Sequence, residues 1–138
     1  MTDSESSGKP GEQLTVGSLD HIALTVSDIE TSRQWYEDML GLKPVQTDPN
    51  VFVPYVTNGK VKLGLLPVED GAEFKPPVHQ GARACHPAFR TDGKTFQAYL
   101  ERLERLGIEN EQLTHSASCS IYFHDPDGYV IEVTTYDI

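Results

Sequence analysis

Apolar and polar positions change rhythm several times along this chain, and each change marks an element. In LDHIALTV (19–26) they alternate, as in a half-buried strand. Ser27 with Glu30 three residues on has the form of a capping box. Ile29, Trp35, Tyr36, Met39 and Leu40 then recur at helical spacing, so a helix is predicted over 28–40, with Gly41 as its stop. LKPVQ (42–46), VFVPYVT (51–57) and KVKLGLL (60–66) read as three short strands. Asn58-Gly59 predicts a tight hairpin turn between the last two, and Pro54 predicts an edge or bulged strand. PVEDGAEFKPPVHQG (67–81) has no period and reads as a linker.

The same rhythm then returns. ACHPAFRT (84–91) is a strand candidate, 95–106 a helix with Phe96, Leu100 and Leu103 on one face, and Gly107 its stop. SIYFHDPDGYVIEVTTY (120–136) is a hairpin turning on Asp125-Pro126-Asp127-Gly128. HIAL at 21–24 answers HPAF at 86–89, and LGL at 40–42 answers LGI at 106–108. Strand, helix, helix-ending glycine and strands therefore occur twice, in modules 18–67 and 83–136 joined by linker 68–82, after a polar tail (1–17) expected to be disordered. A sheet covered by one helix leaves its other face open, and a second module must close it.

Composition narrows the partners. Eleven Lys and Arg against 21 Asp and Glu give 138 residues a net charge of −10. Such a surface repels nucleic acid and anionic membranes. No apolar run suits a membrane span or a signal peptide, so the expectation is cytoplasmic. Cys85 and Cys119 form neither a disulfide framework nor a CxxC motif, and both are read as small buried residues.

LDHIALTVSDIETSRQWYEDMLGLKPV at the front, HPAF in the middle and SIYFHDPDGYVIEV at the back together resemble the vicinal oxygen chelate superfamily, which includes glyoxalase I, fosfomycin-resistance proteins and extradiol dioxygenases. The resemblance covers about residues 19–136. It implies one α+β domain (18–136) of two βαβββ modules, forming a curved, incompletely closed mixed-sheet barrel around a metal or ligand cavity. The superfamily hosts many reactions, so the fold leaves the activity open.

Strand parity selects what faces that cavity. Ile22, Leu24 and Val26 belong to the helix side, which turns His21, Ala23 and Thr25 the other way. The second repeat likewise turns out His86, Ala88 and Arg90, and puts Glu132 between the helix-side Ile131 and Val133. If the DPDG turn is a type I turn followed by a left-handed glycine, His124 opposes Val130 and Tyr122 opposes Glu132. His21, His86 and Glu132 are thus candidate metal ligands, a two-histidine, one-carboxylate set suited to Fe(II) or Mn(II), with Zn(II) or Ni(II) also compatible. The superfamily carries ligands at matching positions. Many relatives have a fourth, often Glu, where this chain has Gly64, which weighs against glyoxalase I chemistry.

Tyr122 resembles the cavity tyrosine of extradiol dioxygenases and is a candidate for catalysis and substrate binding. His115 and His124 are candidate acids or bases, and Arg90 a candidate clamp for a substrate anion. The leading expectation is a metal-dependent, extradiol dioxygenase-like enzyme acting on a small oxygen-chelating substrate. The alternatives are a glyoxalase-like lyase or isomerase or a thiol transferase, and a metal-free small-molecule binding protein. The resemblance implies a homodimer; if modules are exchanged, His21 of one chain serves the site of the other.

Overall fold

A computed structural model describes residues 11–45, 50, 53–76 and 85–138. Expectations that fall on residues 1–10, 46, 51–52 and 77–84 lie outside the described residues. Two βαβββ modules follow one another: β1 (Ile22–Thr25), α1 (Ile29–Leu40), β2 (Lys43–Pro44), β3 (Tyr55–Thr57) and β4 (Lys62–Leu66), then β5 (Ala88–Thr91), α2 (Gly93–Arg105), β6 (Glu111–Thr114), β7 (Cys119–His124) and β8 (Val130–Thr135). The sheets are ordered β1-β4-β3-β2 and β5-β8-β7-β6, each with one parallel pair (β1 with β4, β5 with β8) and otherwise antiparallel. The described residues form an α+β fold of two mixed four-stranded sheets and two helices, not closed into a barrel. No helix among the described residues is long and apolar enough to cross a membrane.

Alternation along the strands builds the core. Val56, Leu63 and Leu65 in the first sheet and Ile121, Phe123, Ile131 and Val133 in the second are buried under the helices. Each such side chain contributes roughly 1.5–3 kcal/mol by leaving water. Ser32, Tyr36 and Met39 are the buried positions of α1, and Phe96 and Leu103 those of α2.

Several local expectations give way to longer-range contacts. Asp28, not Ser27, caps α1, its Oδ1 accepting from the N–H groups of Glu30 at 3.1 Å and Thr31 at 3.3 Å. Ser27 is drawn off to the other module, where its hydroxyl donates to Asp127 Oδ1 at 2.5 Å. Helix α2 starts at Gly93, two residues earlier than its apolar spacing predicts, because Asp92 caps it through Thr95 N–H at 2.7 Å. Asn58-Gly59 is part of a four-residue connection rather than a two-residue turn: Thr57 pairs with Lys62, and Asn58 Oδ1 accepts from Lys60 N–H and Val61 N–H. Strand β3 lies inside the sheet, and Pro54 stands just before it, accepting from Leu65 N–H at 2.7 Å. Neither cysteine is buried as expected: Cys85 is exposed, since the ladder of β5 begins only at Ala88, and Cys119, the first residue of β7, is half-buried.

Other expectations hold. Gly41 ends α1 in the left-handed region (φ 69°). The DPDG turn is the bulged form: Gly128 has φ 93°, its N–H donates to Asp125 O, and Asp125 N–H donates to Tyr129 O.

The modules meet through their helices and strand ends. Tyr36 of α1 is fully buried and its hydroxyl donates to Asp125 Oδ2 at 2.6 Å. Trp35 packs beside Phe123, Tyr99 hydroxyl donates to Met39 O, and Tyr129 hydroxyl donates to Thr25 O. The sheet faces opposite the helices are left outward, with Ala23, Thr25, Ala88 and Arg90 exposed.

Candidate metal centre

Register carries the expected residues onto one face of the second sheet. Ala88 pairs with Glu132 across the parallel ladder, and Tyr122 pairs with Glu132 across the antiparallel one. His86 precedes β5 and reaches the same place: its Nε2 lies 2.8 Å from Glu132 Oε1, with the two side chains 17% and 14% exposed. Ser120 hydroxyl donates to Glu132 Oε2 at 2.7 Å. The Tyr122 ring meets His86 edge-on, 5.7 Å between centroids. Burial, then the charge of Glu132, pushes the Tyr122 phenol above its ordinary range, so it is a protonated donor at neutral pH.

The first module repeats this plan with one side chain missing. Ala23 pairs with Gly64 and Tyr55 pairs with Gly64, so Gly64 occupies the register of Glu132 and Tyr55 that of Tyr122. The His21 ring meets Tyr55 edge-on at 4.9 Å, as His86 meets Tyr122. A Cβ on Gly64 would lie 3.3 Å from Tyr55 Cε1, so the tyrosine ring takes up the space a carboxylate has in the other module. His21 Nδ1 lies 2.8 Å from Asp20 Oδ2, and that bond, followed by the charge of Lys62, holds the Asp20 carboxyl below its ordinary range.

His86, Glu132 and Tyr122 are therefore together, while His21 stands in the other half of the chain. Among the described residues no group of three or more His, Cys, Asp and Glu side chains is placed to hold a metal ion. A nitrogen and a mostly buried carboxylate (14% exposed) converging at 2.8 Å nonetheless fit two ligands of a divalent ion, which would replace the hydrogen bond between them. Arg90 is in register with Thr134 on the Glu132 face and sits over the Tyr136 ring, 4.5 Å from its centroid. His124 opposes Val130 at the turn end of that face. His115 lies in the β6–β7 turn, exposed, beyond the Thr114–Cys119 pair and more than about 10 Å along the strands from Tyr122.

The match to known proteins follows from this arrangement. Residues 18–133 match the family model of the Glyoxalase/Bleomycin resistance protein/Dioxygenase superfamily. The chain belongs to that superfamily. It is 31% identical over 116 residues to glutathione transferase FosA of Serratia marcescens, covering 84% of this chain and 79% of that one. It is 27% identical to biphenyl-2,3-diol 1,2-dioxygenase 3 of Rhodococcus globerulus, covering 83% of this chain but 61% of the dioxygenase. A glyoxalase/dioxygenase crystal structure from Nostoc punctiforme superposes with a TM-score of 0.71 at 25% identity, over 94% of this chain and all of that one.

Tyr55, Ser120, Asp20 and Lys62 are the site residues that sequence reasoning missed. The internal repeat held the signal for Tyr55, since it stands nine residues before Gly64 much as Tyr122 stands ten before Glu132. Ser120 lies on the same strand parity as Tyr122 and could have been found that way.

Proposed function

We propose that the chain is a divalent-metal-dependent enzyme of the vicinal oxygen chelate type, acting as a homodimer on a small substrate that offers oxygen ligands. The His86–Glu132 pair carries this reading. A carboxylate so little exposed is costly unless paired, and here its partners are an imidazole nitrogen and a serine hydroxyl. In the reading, His86 and Glu132 hold the ion together with His21 of the partner subunit. The exposed sheet faces and the separation of His21 from His86 within one chain support a dimer that closes the site. Fe(II) or Mn(II) suits the donor set first, Zn(II) or Ni(II) next. When bound, the ion would supply a Lewis acid for a substrate oxygen.

The protein's own part is orientation and proton placement. Ser120 holds Glu132 from one side, which fixes the direction of its other oxygen. Tyr122, kept protonated, donates its phenol hydrogen to negative charge gathering on the substrate. Arg90 stands on the same face as a clamp for a substrate anion, and His124, at the turn end of that face, is the proton carrier.

The reaction we infer is opening of a small epoxide by a thiol: the thiol gives up its proton to a proton carrier, its sulfur bonds to a ring carbon, that carbon's C–O bond breaks, and the freed oxygen takes a proton from Tyr122. Its support is the glutathione transferase of Serratia marcescens, of which this chain covers 79%, against 61% of the Rhodococcus dioxygenase. Ring-cleaving dioxygenation is the second reading, favoured by Tyr122 standing directly across the ladder from Glu132. Metal content of the wild type and of Glu132→Ala, both purified without added metal, tests the first step; equal content removes the proposed ligand set. Glutathione consumption with small epoxides by the Mn(II)-loaded protein, and O2 uptake with a catechol panel by the Fe(II)-loaded protein, then separate the two reactions. Ligand binding that is indifferent to metal and to His21→Ala would support a metal-free binding protein instead.

A further inference from the structure

Three side chains of the first module, Asp20, Lys62 and Tyr55, close a ring of contacts with the histidine that the proposed site takes from a second copy. His21 Nδ1 lies 2.8 Å from Asp20 Oδ2. Lys62 Nζ lies 3.4 Å from the same carboxylate oxygen. Lys62 also stands over the Tyr55 ring, 5.1 Å from its centroid, and that ring meets His21 edge-on at 4.9 Å. Tyr55 and Gly64 are ladder partners, and the absent side chain at Gly64 leaves the room that the tyrosine ring takes up beside His21.

We propose that Asp20, steadied by Lys62 and Tyr55, is the positioning residue that selects which nitrogen of His21 is offered to a metal ion. The inference rests on the reading of His21 as a ligand. An ionised carboxylate has only acceptors, so the atom facing it must be an N–H: the proton is held on Nδ1 and Nε2 is left with its lone pair. Free imidazole prefers the opposite tautomer, so the choice has to be imposed by the partner of the other nitrogen. A carboxylate behind a ligating histidine also makes the imidazole a better donor, and losing one commonly weakens metal affinity by about 10–100-fold. Asp20 is 71% exposed, which puts this case near the lower end of that range.

Lys62 and Tyr55 restrict what Asp20 and His21 can do separately. The ammonium lies 3.4 Å from the carboxylate oxygen that faces His21, and the tyrosine meets the imidazole edge-on. The other half-site is built differently. His86 presents Nε2 directly to Glu132, so there the carboxylate is itself a ligand candidate rather than a support. Gly64 in the register of Glu132 is what frees the first module from supplying a ligand of that kind and leaves orientation as its task.

The test uses the full-length protein and two readouts. Two-bond 1H–15N spectra of the metal-free wild type at a pH where imidazole is neutral are expected to show His21 with the proton on Nδ1. Asp20→Ala is expected to move it to Nε2 and to weaken Mn(II) binding about tenfold by calorimetry. Asp20→Asn, whose amide oxygen still accepts from Nδ1–H, should recover most of both, and Lys62→Met should lose a smaller part. A wild-type His21 already protonated on Nε2, or Asp20→Ala binding Mn(II) as tightly as the wild type while His21→Ala does not, overturns the role given to Asp20. His21→Ala binding Mn(II) as tightly as the wild type overturns instead the ligand reading beneath it, and the tautomer spectra still report on the contact ring by themselves.

Discussion

Replacing Tyr36 by Phe removes one oxygen from the seam between the modules and nothing else. The ring keeps its place in the core, so no cavity opens, but Asp125 Oδ2 loses its donor at 2.6 Å. Its Oδ1 keeps the N–H groups of Asp127 and Tyr129, both at 2.9 Å. A hydrogen bond to a buried charge contributes about 1.5–3 kcal/mol. In a chain of this size each kcal/mol moves the midpoint by about 3–4 °C, so Tyr36→Phe should melt about 5–12 °C below the wild type at pH 7. The pH dependence sharpens the test. Burial pushes the Asp125 carboxyl above its ordinary range, and the Tyr36 hydroxyl partly offsets that. A group raised on folding contributes stability that is present below its unfolded pKa and is lost as pH rises through its folded one. Losing Tyr36 raises the carboxyl further, so the penalty of the substitution should shrink as pH falls and Asp125 takes up its proton. Urea denaturation of both proteins at pH 7 and at pH 4 measures this. A penalty that is the same at both pH values, or a midpoint within about 1 °C of wild type at pH 7, would refute the reasoning.

Other substitutions report on other parts of the argument. Asp28→Ala strips the cap of α1 and should cost about 1 kcal/mol, whereas Ser27→Ala should leave the helix content by circular dichroism unchanged because Ser27 is not the cap. Phe123→Ala, at a fully buried position against Trp35, should cost about 3–5 kcal/mol in urea titration. Gly64→Ala puts a methyl group 3.3 Å from the half-buried Tyr55 ring, which can yield; a loss of about 1 kcal/mol is expected, and a loss of several would mean that the ring is fixed. Tyr122→Phe should leave metal content as in the wild type and lower kcat about 10–100-fold, because the proposed task of the phenol is to donate to the substrate; a matching loss of metal would place its role with Glu132 instead.

Period-two alternation was enough to sort the strands. Leu24 and Val26 are buried while Ala23 and Thr25 are exposed, and Glu132 lies between the buried Ile131 and Val133. The bulged DPDG turn set the register of the last hairpin, and with it the Tyr122–Glu132 pair, from four residues. Element ends were less legible. Whether Ser27 or Asp28 caps α1 depends on Asp127, a hundred residues away, and no local pattern contains that competition.

The sequence by itself therefore determined the doubled βαβββ plan, the faces of β1, β5 and β8, and the register of Tyr122 with Glu132, while the strand β6 and the His86–Glu132 contact, 46 positions apart, came from the tertiary structure. The former follow from spacing within one element or one turn. Only the tertiary structure decided that His21 stays in a separate half-site of the same chain, that Tyr55 takes the register of Tyr122, and that Asp20 and Lys62 surround His21. How the modules meet depends on contacts such as Tyr36 with Asp125 and Tyr99 with Met39, between residues 89 and 60 positions apart. Such contacts have no period along the chain, and packing alone chooses which faces they join and which they leave open.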